Sequence, residues 1–295
     1  MFKNIKDLVA QAEGQGLRIS DIMLQSEQEE TGRSRQSILD TMLDNYRVMK
    51  AAAHRGIGGV TSHSGMTGGD AKRLRQYLEG GTYLTDPTFL KAISYAVATN
   101  EVNAAMGIIC SAPTAGSCGT LPGVMLALQE KLGKTDEDMA HALFTAGAIG
   151  YVIANNAFIS GAAGGCQAEV GVASAMAAAA AVELAGGTPS QAAHAMAMAL
   201  KNMLGLACDP LAGLVEVPCI KRNAAGAAGA LAAAEMALAG VQSRVPWDEV
   251  ILAMYQIGLA MPHTVKETAL GGLANSETGK AWKKKLWQKA GDEQA

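Results

Sequence analysis

Residues 188–205, TPSQAAHAMAMALKNMLG, decide the fold class. Thr188 followed by Gln191 three residues later is a capping box, and Pro189 occupies the first helical position, where no N–H is needed. Met and Ala then fill an unbroken helical run predicted to end at Gly205. Working outward, the same signals recur. In residues 34–55, Ile38, Met42, Leu43, Tyr46 and Met49 share one helical face, with a stop predicted at Gly56. Asp86-Pro87 opens a helix through about Thr99, and Pro122 opens one that closes near Gly133. Thr135 with Asp138 resembles a further capping box. An Ala-rich helix is predicted over 221–239, and another from Pro246 to about Met261. Only 214–217 is expected to pair briefly as a strand. The predicted class is all-α: a single large Ala/Gly-rich helical domain over 51–295 with Gly-rich loops, and an N-terminal helical extension over 1–50.

Composition agrees. The 295 residues are 49% hydrophobic but only 4% aromatic, so small side chains must let helices approach closely. The net charge of −3, with both signs spread along the chain, argues against a nucleic-acid surface. The N-terminus has a charge every few positions and does not read as a secretory signal or transit peptide. The apolar run 170–185 is mostly Ala and is broken by Glu183, short of the roughly 20 apolar residues a bilayer demands. A cytoplasmic protein is expected. Five cysteines in a chain this long suit ligands, catalytic groups or core rather than disulfide staples.

Four Gly/Ser/Thr-rich segments interrupt the helices: 56–70 (GIGGVTSHSGMTGGD), 111–119 (SAPTAGSCG), 160–165 (SGAAGG) and 270–274 (LGGLA). Glycines let backbone N–H groups approach an anion, and hydroxyls add donors. No segment matches the Walker pattern or follows a strand, so a carboxylate or phosphate fits better than a nucleotide. The third loop leads into Cys166, while Cys208 precedes Asp209-Pro210 and Cys219 follows Pro218. Spacing alone fits no short metal signature, and buried free cysteines are common, so metal ligation and plain core packing both stay open. Cys110 is expected in the core; Cys118 suits core or site. His63, between Ser62 and Ser64, is a candidate base or carboxylate partner. Lys266, before Glu267, is a surface ion-pair residue or a desolvated base. His141 and His194 suit surface or satisfied core, His263 is ambiguous, and Lys283, Lys284 and Lys285 suit a solvated face with Trp282 and Trp287 as anchors.

Six segments in order, NEVNAA (100–105), APTAG (112–116), GCQAEVG (165–171), LACDP (206–210), VPCIKRN (217–223) and KETALGGLA (266–274), resemble the iron–sulfur-dependent L-serine dehydratases of bacteria. The likeness runs from about residue 40 to 275. It implies a separate α subunit of the two-chain type, with residues 51–295 as catalytic domain and a β-subunit partner carrying an ACT-like regulatory domain. It also implies a [4Fe–4S] cluster held by Cys166, Cys208 and Cys219, with one iron left as a Lewis acid for the hydroxyl of L-serine. The expected reaction is dehydration and deamination of L-serine to pyruvate and ammonia, without pyridoxal phosphate. The loop 111–118, with Ser111, Thr114, Gly116 and Cys118, is the candidate for the substrate carboxylate. His63 and Lys266 are candidates for base and carboxylate partner, in that order, and Gln167, Glu169 and Asp209 for orienting ligands or substrate. One-chain relatives end in a cysteine that can reach the cluster; this sequence ends GDEQA, so blocking by its own tail is not expected. A desulfidase-like lyase acting on cysteine, an iron–sulfur sensor or electron carrier, and a zinc-structured scaffold are the competing readings. Hetero- or homo-oligomers are both compatible with the sequence.

Overall fold

The computed structural model describes the backbone of residues 2–292 and the side chains of 2–288; the chain's last three residues lie outside it. Thirteen α-helices follow one another: α1 (Ile5–Gln15), α2 (Ile19–Thr31), α3 (Arg35–Ile57), α4 (Asp70–Glu79), α5 (Pro87–Ala104), α6 (Thr120–Leu132), α7 (Asp136–Asn156), α8 (Gly161–Gly164), α9 (Val172–Leu184), α10 (Pro189–Lys201), α11 (Cys219–Leu238), α12 (Trp247–Ala260) and α13 (Glu277–Asp292). The all-α class is as expected.

Helix α9 runs through the middle, packed against α6, α7, α10 and α11. Its sequence, VASAMAAAAAVEL, is apolar all round, and every residue but Glu183 is buried. A helix with no polar face needs neighbours on every side, and short Ala side chains let them come close. Glu183 accepts the Ser20 backbone N–H at 3.2 Å, satisfying a donor at the start of α2. Elsewhere glycines set the approach. A Cβ on Gly123 of α6 would stand 2.7 Å from the Ala92 carbonyl oxygen of α5, and one on Gly226 of α11 would stand 2.8 Å from Val170 Cγ1.

Both capping boxes form, Thr135 with Asp138 and Thr188 with Gln191. Several boundaries move. Helix α3 passes through Gly56, which does not stop it; there a Cβ would come within 2.2 Å of Ala98 O, so this glycine serves the α3–α5 crossing. Helix α5 runs on to Ala104, and α10 ends at Lys201, ahead of a turn through Gly205. Helix α11 starts at Cys219 rather than 221. The strand expected over 214–217 is absent. Residues Leu211–Gly213 form a 3₁₀ turn, and the Leu211 N–H donates to the Val217 carbonyl at 2.9 Å, folding the segment on itself. Residue 50 lies inside α3, and Phe2, Ile5, Leu8, Val9, Ile19 and Ile22 of the N-terminal segment are buried in the same core as α9. The Lys283–285 run is exposed, with Lys285 over the Trp282 ring; Trp287 is 69% exposed and does not anchor the helix as expected. His194 is a satisfied histidine, its Nδ1 accepting from Trp247 Nε1 at 3.0 Å.

Candidate active site

Two thiols, Cys166 and Cys208, pack together below the N-terminal end of α9, and a third, Cys219, lies within reach of the Cys166 charge. Cys166 precedes a single π-helical turn, Gln167–Gly171, that leads into the helix. Cys208 sits in the turn after α10, in an isolated bridge with Lys266: its N–H donates to Val265 O at 2.8 Å, and Glu267 N donates back to its carbonyl at 2.7 Å. Cys219 opens α11. All three are almost fully buried, and all are free thiols. Cys166 and Cys208 pack together with Val170, and the interaction of the two thiols draws Cys166 below its ordinary pKa and raises that of Cys208. Burial, then the nearby charges of Cys166 and Glu169, pushes Cys219 up to about 12.

Glu169, on the π-helical turn, sits at the centre. Its Oε1 accepts the Thr114 hydroxyl at 2.6 Å, and its Oε2 lies 3.7 Å from Cys208 Sγ. Burial raises its pKa against the opposing pull of Thr114. Glycines make room for it: a Cβ on Gly116 would be 3.0 Å from Oε1, and one on Gly161 would be 2.6 Å from Oε2 and 2.8 Å from Cys208 Sγ. The second and third Gly-rich loops therefore close around one carboxyl group. Gly116 O accepts from Asn223 Nδ2 at 2.8 Å, and Asn223 Oδ1 accepts the Gly119 and Thr120 N–H groups, so α11 holds the loop on both sides.

The other supports are also buried. Arg222 pairs with Asp209 at 2.9 Å and donates to Ala207 O at 2.7 Å, framing Cys208. Asp209 Oδ2 accepts the Leu273 N–H at 2.7 Å, fastening the fourth Gly-rich loop. Gln167 ties the π-turn to α12 through Met254 O and to the Gly205 N–H.

A cavity of about 590 Å³ reaches the second Gly-rich loop at Ala115, with His63, Ser64, Asn103, Glu216 and Trp287 also in its wall; neither the thiols nor Glu169 line it. His63 is exposed at this wall. Its loop is held by Glu216, whose Oε2 accepts the Ser64 and Thr67 hydroxyls at 2.9 and 2.8 Å. Of the other candidates, Thr114 and Gly116 touch Glu169, while Ser111 is exposed without a contact to it. Cys118 is fully enclosed behind the loop, beside Asn100 Nδ2. Lys266 shares the backbone bridge with Cys208, and its ammonium forms no ion pair with Glu267 among the described residues. Glu216 gave no sequence signal, because its hydroxyl partners lie about 150 residues away in the chain.

As they stand, no three His, Cys, Asp or Glu side chains among the described residues are close enough to share a single metal ion. Thiols around a multi-atom cluster stand farther apart than thiols around one ion. Three buried soft sulfur donors, two of them under the charge of Arg222, fit an iron–sulfur group in donor chemistry and in charge.

Residues 14–274 match the family described as serine dehydratase alpha chain. The chain belongs to that family. It is 58% identical over 287 residues to a probable L-serine dehydratase alpha chain of Bacillus subtilis, covering 97% of this chain and 96% of that one. It is 43% identical to the L-serine dehydratase alpha chain of Peptoniphilus asaccharolyticus, over 95% of this chain and 96% of that one. With an L-serine dehydratase of Streptomyces coelicolor the identity is 40%, over 92% of this chain but 60% of that longer one. Among the described residues no helix is long and apolar enough to cross a membrane.

Proposed function

We propose that this chain is the catalytic α subunit of an L-serine dehydratase, that it binds a [4Fe–4S] cluster through Cys166, Cys208 and Cys219, and that it releases pyruvate and ammonia from L-serine. The packing of buried Cys166 against Cys208 beside Glu169, with buried Cys219 close enough to feel the charges of both Cys166 and Glu169, is the observation that carries this. Family membership supplies the substrate. When bound, the cluster would supply a Lewis-acidic iron that weakens the bond to the serine hydroxyl.

The chain's own residues do the rest. The Thr114–Gly116 stretch, braced by Asn223 and Glu169, offers a rigid edge for the substrate carboxylate. His63, at the cavity wall, takes the Cα proton; such general-base help contributes about 10²–10⁴ in rate. Lys266, tied through its backbone to the Cys208 segment, is the second cation available to the carboxylate. The resulting aminoacrylate tautomerises and hydrolyses in water.

The match to alpha chains over nearly their whole length, against 60% of the longer relative, supports a regulatory β chain supplied separately, with an ACT-like domain. The test is anaerobic purification, with and without a co-expressed partner, followed by iron and sulfide analysis and pyruvate assay. Wild-type protein should be brown and active on L-serine, and Cys208→Ala should lose colour, iron and activity together. Colourless active protein would refute the cluster, and pyruvate from L-cysteine but not L-serine would make the enzyme a desulfidase.

A further inference from the structure

We infer that Glu216 receives the α-ammonium group of the substrate. This rests on the cavity being the substrate site. An amino acid enters as a zwitterion, so a site that takes it from water favours its cationic end with an anionic partner. Among the residues that line the cavity, Glu216 is the one carboxylate; His63 is the other titratable group.

Its geometry suits the task. The Glu216 side chain is 5% exposed. Both hydroxyls that hold it, from Ser64 and Thr67, donate to Oε2. Oε1 accepts from no described residue, yet it is not among the sealed, unpartnered atoms. One oxygen is thus locked, and the other is left unsealed on a residue of the cavity wall. Anchoring by two hydroxyls removes the rotamer freedom that an ordinary glutamate would lose on binding. The loop that supplies those hydroxyls also carries His63, so the ammonium acceptor and the proposed base move as one body. Residues 61–68 are closed by the Ser62 N–H to Thr67 O bond and by the Thr61–Gly68 bridge, and a Cβ on Gly68 would come within 2.4 Å of Val60 O.

The consequence is selectivity for a charged amine. The cluster-loaded enzyme should have an apparent affinity for L-serine at least tenfold tighter than for 3-hydroxypropanoate, which keeps the hydroxyl and carboxylate but lacks the ammonium. Glu216→Gln keeps an amide oxygen to accept from Ser64 and Thr67 while removing the charge. It should weaken L-serine binding tenfold or more, seen in KM, and change the Ki of 3-hydroxypropanoate less than twofold. Calorimetric titration of the full chain without its cluster should repeat the contrast without turnover. Equal weakening of both ligands would make Glu216 a purely structural residue, and no change for either would also overturn the assignment. Should Glu216→Gln fail to fold, wild-type enzyme that binds the two ligands equally well overturns it without any variant. Loss of pyruvate formation with the amine preference intact would instead refute the proposed reaction and leave this assignment standing.

Discussion

At the scale of single residues, the five thiols sort by surroundings rather than by type. Cys118 is enclosed beside Asn100, and burial pushes it up to about 12; Cys166 and Cys208 pack together, with the Cys208 sulfur 3.7 Å from the Glu169 carboxyl group. Cys219→Ser should therefore abolish iron binding, whereas Cys118→Ser should keep full iron content at some cost in stability, both checked by metal analysis beside thermal unfolding. Thr114 offers a sharper probe. Thr114→Val keeps the shape and removes the hydrogen bond to Glu169. A hydrogen bond to a charged or partly charged group is worth about 1.5–3 kcal/mol, so kcat/KM should fall about tenfold or more while cluster absorbance stays.

At the scale of elements, two glycines of similar sequence context should behave in opposite ways. Gly123→Ala drives a methyl group into Ala92 O and Ala96 Cβ at the α5–α6 crossing, and such overpacking costs about 1–3 kcal/mol. A Cβ added to Gly147 on α7 would meet nothing within 4 Å, so Gly147→Ala should gain up to about 1 kcal/mol of helix propensity. Urea unfolding of both variants distinguishes packing from propensity. The α3–α7 contact has a pH signature. The Lys50 ammonium, then the Gln129 amide, holds Asp136 below its ordinary carboxylate value of 3.8. Its stabilisation is full above that value and is lost as pH falls through the lower folded value. The stability gap between wild type and Lys50→Met should be open at pH 6 and closed near pH 2. Capping residues and helical period made these elements legible in the sequence, because caps act within four residues. At Gly56 and Gly205 the neighbour is distant in sequence, Ala98 against Gly56 and Gln167 on the Gly205 N–H, which no local pattern reports. The same holds for the site. The thiols could be suspected one by one, but Glu169 as their shared partner and Glu216 in the cavity wall emerge only when separate loops are folded together.

At the scale of the whole molecule, α1 and α2 belong to the main core. Removing residues 2–31 would strip Ile5, Leu8, Ile19, Ile22 and Leu24 from the core, where all are buried at 2% exposure or less, and expose their partners. At about 1.5–3 kcal/mol for each large apolar side chain, the loss is comparable to the whole 5–15 kcal/mol that holds a typical domain. The truncated chain should show no cooperative unfolding transition by circular dichroism. Helix α9 has a different consequence. Its five consecutive alanines, Ala177, Ala178, Ala179, Ala180 and Ala181, are hemmed in on all sides, so any enlargement there would wedge four neighbouring helices apart at once. Cys166 and Glu169 hang from the end of that immobile rod. The turn that carries Cys166 and Glu169 is thus tied to a helix with no free face, so substitutions in the outer shell should leave its placement unchanged.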